Sequence, residues 1–124
     1  MNTHSPQDAL RVAAYCRADA PDSDLIAFQK TVIRTTLARC ADEPPQITVY
    51  ADDGIYPRES VRPDLQRLLR DVVARRIDCV AVCGWENLAD TQTELRLLRR
   101  FFRDHEVLVM ECRLPPAYLV RIPM

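Results

Sequence analysis

Glycine is scarce in this sequence, with two residues among 124. Loops that cradle phosphate with backbone N–H groups depend on glycines at fixed spacing. The sequence contains no G-x-G-x-x-G pattern, no P-loop and no evident Ser-His-Asp grouping. We therefore expect no nucleotide cofactor bound by a glycine-rich loop and no hydrolase triad.

Long apolar runs are also missing. No stretch approaches the roughly 18 apolar residues of a membrane span, and the polar start MNTHSPQDA is unlike a signal peptide. These absences predict a cytoplasmic protein without a membrane partner. Residues 1–10 are interpreted as a flexible N-terminus.

The cysteine and histidine patterns predict no metal site. The five cysteines form no C-x-x-C pair, and three of them lie in apolar stretches typical of strands. Reduced, mostly buried thiols fit this pattern better than disulfides or a zinc module. His4 and His105 lack the neighbours of a metal ligand or catalytic base. We expect no metal and no cofactor.

Composition indicates one globular domain, with 48% hydrophobic and 28% charged residues. The formal net charge of −1 argues against a protein whose main role is to bind nucleic acid, because phosphate neutralisation supplies most non-specific affinity. Arginines nevertheless cluster at helical spacing, which fits a solvated outer face or a DNA-binding patch. They are Arg67, Arg70, Arg75, Arg76, Arg96, Arg99, Arg100 and Arg103.

Hydrophobic periodicity predicts alternating strands and helices. The predicted strands are 11–17, 47–51, 77–83 and 106–112; the predicted helices are 24–40, 63–76 and one that follows the capping box of Thr91 and Glu94. This order predicts an α/β three-layer sandwich, with a mainly parallel four- to five-stranded sheet and helices on both faces. Residues 113–124 form a C-terminal tail, in which YLVRI could add an edge strand.

Sites in such sheets gather at the carboxyl ends of the strands. Here these ends lead into the loops 18–23, 52–62 and 84–90. The loop 52–62 is about ten residues long, and loops of that length tend to be functional.

An ordered set of motifs resembles one known family. The set comprises RVAAYCR, a helix with Gln29, VYADDGI, RPDLQRLL, RRIDCVAVCGWENLAD and the leucine-rich helix that follows. In this order and spacing the motifs resemble the catalytic domain of serine recombinases of the resolvase and invertase type, over about residues 11–112. The resemblance implies the same α/β fold and an ancestry in DNA recombination.

In that family a serine attacks a DNA phosphate, and several arginines stabilise the charge on the transferred phosphoryl group. The resemblance assigns Tyr15, Arg17, Asp53 and Arg62 to the active-site set. Gln29 matches the helix glutamine of the family if the preceding loop holds one extra residue.

The sequence departs from the family where the reaction takes place. Asp19 occupies the position of the nucleophilic serine, and the D-R-L-x-R motif is replaced by Glu86, Asn87, Leu88, Ala89 and Asp90. Exchange of serine for Asp19 and of arginine for Asn87 each lowers the charge by one, and exchange of arginine for Asp90 lowers it by two. The resemblance therefore predicts a degenerate site that repels phosphate and does not cleave DNA.

Three functions remain open at this stage. The first is a recombinase-like pseudoenzyme that forms homo-oligomers or associates with a recombinase, with weak DNA binding at most. The second is a genuine recombinase subunit or fragment that uses DNA-binding elements elsewhere. The third is an α/β module that binds a small phosphorylated ligand through Arg17, Arg62 and Asp53. Trp85 either anchors a partner or packs into the space left by the missing arginines.

Overall fold

The structure is a computed structural model that describes residues 9–40, 42–54 and 62–113. Its elements are β1 (Arg11–Ala18), α1 (Ser23–Cys40), β2 (Gln46–Asp53), α2 (Pro63–Val73), β3 (Cys79–Val82), α3 (Trp85–Leu88), α4 (Gln92–Asp104) and β4 (Leu108–Glu111). The four strands form one parallel sheet in the order β2-β1-β3-β4. The predicted parallel α/β sheet is therefore confirmed. The suggested edge strand at 118–122 lies outside the described residues.

Side chains of β1 alternate between two cores, because successive residues of a strand point to opposite faces. Val12, Ala14 and Cys16 pack with the buried residues of α1. Ala13 and Tyr15 pack on the other face, with the buried residues of α2 and α4. The helices thus cover both faces of the sheet, as the sequence predicts.

Two local predictions are corrected by the structure. The segment 84–90 was expected to be a loop, but it contains the single-turn helix α3. Helix α2 ends at Val73 rather than at residue 76, because Arg75 adopts a left-handed backbone with φ of 61° that cannot continue a helix.

At the start of α1, the Asp22 carboxylate accepts a hydrogen bond from Leu25 N at 3.0 Å and caps the first turn.

All five cysteines are free thiols. Burial raises the pKa of Cys16, Cys79 and Cys112 to about 11, so these thiols stay protonated near neutral pH. Cys40 is exposed and Cys83 is half-buried.

Within the described residues, no helix is long and apolar enough to cross a membrane.

Candidate active site

The carboxyl ends of β1 and β2 meet the start of α2 and the segment around α3. Parallel strands place these ends at one edge of the sheet, and β1 lies between β2 and β3. The predicted site loops 18–23 and 84–90 therefore lie together. Residues 55–61, the middle of the third predicted loop, lie outside the described part of the chain.

A buried carboxylate, Asp52, connects β1 to α2. Its Oδ2 accepts a hydrogen bond from the Tyr15 hydroxyl at 2.7 Å and another from Leu65 N at 3.0 Å, while its Oδ1 accepts from Asp64 N at 2.9 Å. Asp52 thereby satisfies two of the N–H groups that the first turn of α2 leaves unpaired. Burial, and next the hydrogen bond to Asp52, raise the pKa of Tyr15 far above its usual value. Tyr15 is consequently a neutral hydroxyl donor, poorly suited to act as a base.

Asp53, the acidic residue assigned from the sequence, lies elsewhere. Its carboxylate is exposed and accepts a hydrogen bond from Asp22 N at 2.8 Å in the loop after β1. Neighbouring residues of a strand face opposite sides, so Asp52 shares the face of Tyr15 and Asp53 does not. In the described structure Asp52, rather than Asp53, belongs to the buried polar group around Tyr15.

Arg62 immediately precedes α2 and is 8% exposed. Its Nη2 donates to the Leu88 carbonyl at 2.8 Å, and its Nη1 donates to the Asn87 carbonyl at 3.1 Å. Glu94 Oε2 lies 3.4 Å from Nη2, and the Tyr15 hydroxyl lies 3.4 Å from Nη1. The guanidinium group therefore joins the end of α3 to the start of α2.

Gln29 holds the backbone of Arg17 from α1. The Gln29 side-chain carbonyl accepts from Arg17 N at 2.9 Å, and its amide nitrogen donates to Arg17 O at 2.8 Å. The Asn87 amide nitrogen reaches the same Gln29 oxygen at 3.3 Å. Three predicted site residues are thus brought into one network, in which Gln29 fixes the end of β1.

The Arg17 side chain is already paired with carboxylates. It is 9% exposed, its Nη1 lies 2.8 Å from Asp90 Oδ1, and its Nε lies 3.5 Å from Asp19 Oδ1. Burial on its own lowers the pKa of Arg17, but the hydrogen bond and charge of Asp90, with the charge of Asp19, outweigh burial and raise it. Arg17 is a permanent cation with two anionic neighbours.

A cleft of about 330 Å³ opens beside Arg17. The described part of its lining includes Asp19, Glu86 and Asp90, so Arg17 faces three carboxylates and the formal charge of these described residues is −2. Fields of one sign are focused in clefts, so this lining disfavours the approach of a phosphate. Among the described residues, no group of histidines, cysteines and carboxylates is arranged to hold a metal ion.

The segment around α3 is held by contacts on both sides. Trp85 packs against the core beneath α4, and the Arg99 guanidinium lies 5.0 Å from the centre of its ring. The backbone N–H of Trp85 donates to the Glu111 carboxylate at 3.0 Å. Glu86 is exposed, with its carboxylate 3.6 Å from Arg113. Trp85 is therefore half-buried and packs against the core of its own domain.

Helix α4 begins with the predicted capping box, shifted by one residue. The Thr91 hydroxyl accepts from Glu94 N at 3.0 Å, as expected. The Glu94 carboxylate returns to the backbone N–H of Asp90 at 2.7 Å rather than to that of Thr91. This bond fixes the backbone beside the Arg17 cleft and leaves the Asp90 side chain directed at Arg17.

Comparison with known proteins identifies the family. The model of the family described as "Resolvase, N terminal domain" matches residues 12–116. The chain belongs to this resolvase family. A comparison of this chain with curated proteins found no match.

Solved structures show the same fold at low sequence identity. The N-terminal catalytic domain of TP901-1 integrase has a TM-score of 0.69 and 21% identity, covering 82% of this chain and 76% of the other. A resolvase family site-specific recombinase from Streptococcus pneumoniae has a TM-score of 0.71 and 15% identity, with coverages of 83% and 72%. The C-terminal catalytic domain of ISC1926 TnpA, an IS607-like serine recombinase, has a TM-score of 0.70 and 17% identity, with coverages of 90% and 75%.

The main site residue that sequence reasoning missed is Asp52. A signal for it exists, because Tyr50 and Asp52 are two residues apart in β2 and must face the same side. Tyr50 is in the core around Tyr15, so its face is the one covered by α2. The resemblance assigned the neighbouring Asp53, which lies on the other face of β2.

Proposed function

We propose that this resolvase domain does not cleave DNA and acts by association with protein, either a second copy or a recombinase of its own family. The observation that carries the proposal is the ion pair between Arg17 and Asp90, together with Asp19 beside it. An arginine that stabilises a transferred phosphoryl group must be free to bind phosphate oxygens. Here carboxylates occupy the positions around the guanidinium group.

The position of the nucleophile supports the same conclusion. Asp19 is 86% exposed and lies near Arg17, in place of the serine that the family motif requires. A carboxylate can attack phosphorus, but the resulting acyl phosphate hydrolyses readily. Strand rejoining needs a link that survives until exchange is complete, so an aspartyl link would not support recombination.

The second remaining arginine is engaged as well. Arg62 donates to two backbone carbonyls and lies near Glu94. Binding of a phosphate there would break buried hydrogen bonds that hold α3 against α2, and each such bond contributes about 1 kcal/mol or more. This argues equally against a small phosphorylated ligand in the cleft.

Association with protein follows from what the domain retains. Catalytic domains of the resolvase family generally act as oligomers, and this chain keeps the fold of that family although the described cleft lining is acidic. The clustered arginines of α2 and α4 are exposed, which leaves weak DNA contact through the helices possible in an assembly.

The proposal is tested by sizing the protein and by assaying DNA binding and nicking beside a variant with Asp19→Ser, Asn87→Arg and Asp90→Arg. Those changes add one, one and two charges, a total of +4. A control with Asp42→Arg and Glu43→Arg also adds +4, before the amino end of β2 and outside the lining of the cleft. We expect oligomers or binding to a recombinase, no nicking by the native protein, and tighter DNA binding in the cleft variant than in the control.

Two results would overturn the proposal. One is a covalent adduct between the native protein and DNA that disappears in Asp19→Ala, which would establish an active recombinase. The other is a monomer that binds no resolvase-family protein. Equal gains in DNA affinity in the cleft variant and the control would show that overall charge, rather than the cleft, controls binding.

A further inference from the structure

A second cleft, which we call the α1 groove, lies beside the Arg17 cleft. It has a volume of about 410 Å³, and its lining includes Leu25, Phe28 and Val32 of α1 together with Cys83, Glu86 and Arg113. The three α1 residues are spaced i, i+3 and i+7, which places them along one face of the helix. The groove therefore combines an apolar stripe, a thiol and a charged rim.

The apolar stripe is only partly covered within the described structure. Leu25 is 40% exposed and Phe28 is 52% exposed, although both are large apolar side chains. Adjacent exposed apolar residues in a groove with a polar rim are typical of a surface that binds a peptide segment. The groove has room for side chains from such a segment.

We propose that the α1 groove binds residues 114–122 of the same chain. Arg113 lines the groove, so the segment starting at Leu114 begins at its rim. The segment reads LPPAYLVRI, which supplies several apolar side chains and no acidic residue. Its Arg121 suits the exposed carboxylate of Glu86 at the rim.

The covalent connection favours the chain's own segment over that of a second copy. A short tether gives an effective concentration on the order of millimolar, far above usual protein concentrations. Pro115 and Pro116 lack backbone N–H groups and favour extended backbone. An extended segment does not have to form a helix before its side chains enter the groove.

The α1 groove adjoins the Arg17 cleft, and the two share Leu25, Glu86 and Asn87 in their linings. The inference does not depend on loss of catalysis, since the groove and the tether exist whichever reaction the cleft supports.

Cys83 provides a direct test, because it lines the groove whereas Cys40 is exposed elsewhere. The full chain is treated with iodoacetamide, and alkylation of each cysteine is followed by peptide mass spectrometry. The native chain is compared with a tail variant, Leu119→Asp with Ile122→Asp, and with a groove variant, Phe28→Asp. Leu97→Asp, an exposed apolar residue of α4, is the matched control.

We expect the ratio of the Cys83 alkylation rate to the Cys40 alkylation rate to rise about tenfold or more in the tail and groove variants. In the native chain, the open state without the segment in the groove would be a minor state, populated at about 10% or less. The Leu97→Asp variant should leave the ratio unchanged. Slow reaction of Cys16, Cys79 and Cys112 in every variant verifies that the core is intact.

Equal ratios in the native chain and in both variants would overturn the proposal. A native ratio that falls as protein concentration rises would also overturn it, because the segment would then come from a second copy. Neither result bears on DNA cleavage, so this test and that of the proposed function fail independently.

Discussion

Arg17 Nη1 and Asp90 Oδ1 lie 2.8 Å apart, and this ion pair joins the end of β1 to the segment between α3 and α4. Arg17 is almost fully buried, whereas the Asp90 side chain is 38% exposed. A buried guanidinium group needs an anionic partner more than an exposed carboxylate does. We therefore expect the pair to contribute to stability, and the Asp90 carboxylate occupies the Nη1 side of the Arg17 guanidinium group.

The Asp90→Asn variant should lower the free energy of unfolding by about 1–2 kcal/mol, after allowance for the exposure of Asp90. Asp19→Asn is the matched control, because Asp19 is 86% exposed and lies 3.5 Å from Arg17. We expect little change in the control. Urea denaturation of both variants measures the difference, and equal stabilities would show that the Arg17–Asp90 bond contributes nothing.

Substitution of Asp52 and of Asp53 should have very different effects. Asp52→Asn replaces an oxygen that faces N–H or O–H donors with an NH₂ group, so it should cost about 2–4 kcal/mol of stability. Asp53→Asn keeps an acceptor for Asp22 N at an exposed site and should cost less than about 1 kcal/mol. Thermal or urea unfolding of the pair provides the measurement. A larger loss in Asp53→Asn would contradict the placement of Asp52 in the core.

The Gln29→Met variant should leave both the N–H and the C=O of Arg17 without their side-chain partner. Two unpaired buried groups predict a loss of about 2–4 kcal/mol. Thr31→Met, two residues along α1 at an exposed position, keeps the helix and should change stability little. Hydrogen exchange of the Arg17 amide should accelerate in Gln29→Met alone, and unchanged protection would show that this bond is dispensable.

Acid should destabilise the fold through Asp78. Arg11 donates to both carboxylate oxygens of Asp78, at 3.0 and 2.9 Å, and this lowers the pKa of Asp78. A carboxylate whose pKa is lower in the folded state stabilises the protein above its ordinary pKa, and that contribution is lost as pH falls. The free energy of unfolding should thus decline below about pH 4.

The matched variant is Asp78→Asn, which removes the titrating group at nearly constant shape. Its stability should decline less steeply with acid than that of the native protein, although it starts lower. The urea midpoints of both proteins are measured from neutral to acidic pH, and the slopes of midpoint against pH are compared. Parallel curves would mean that the Arg11–Asp78 pair does not contribute to acid sensitivity.

Sequence patterns predict most of the fold because the strands and helices of this chain differ in hydrophobic period. The apolar run around Val80 and the helical stripe of α2 need no tertiary information to be interpreted. Helix α3 escaped prediction because a single turn is too short to show a period. The end of α2 was misplaced because Arg75 adopts its left-handed backbone without any sequence signal such as glycine.

The site was predictable in part. The structure brings together five residues that the motif order places in the site, namely Tyr15, Arg17, Gln29, Arg62 and Asn87. The ion pair of Arg17 with Asp90 could not be derived, since it depends on the rotation of side chains from different elements. The resemblance pointed to Asp53, whereas the alternation of β2 places Asp52 on the face of Tyr15.

The Asp90 backbone N–H donates to Glu94 at the start of α4, whereas the Asp90 carboxylate pairs with Arg17. Helix initiation and cleft charge are therefore controlled by different atoms of one residue. We therefore expect substitutions of the Asp90 side chain to change the charge of the cleft without removing the backbone hydrogen bond to Glu94. The domain is accordingly a suitable starting point for directed evolution, in which libraries at positions 19, 87 and 90 would be selected for cleavage of DNA.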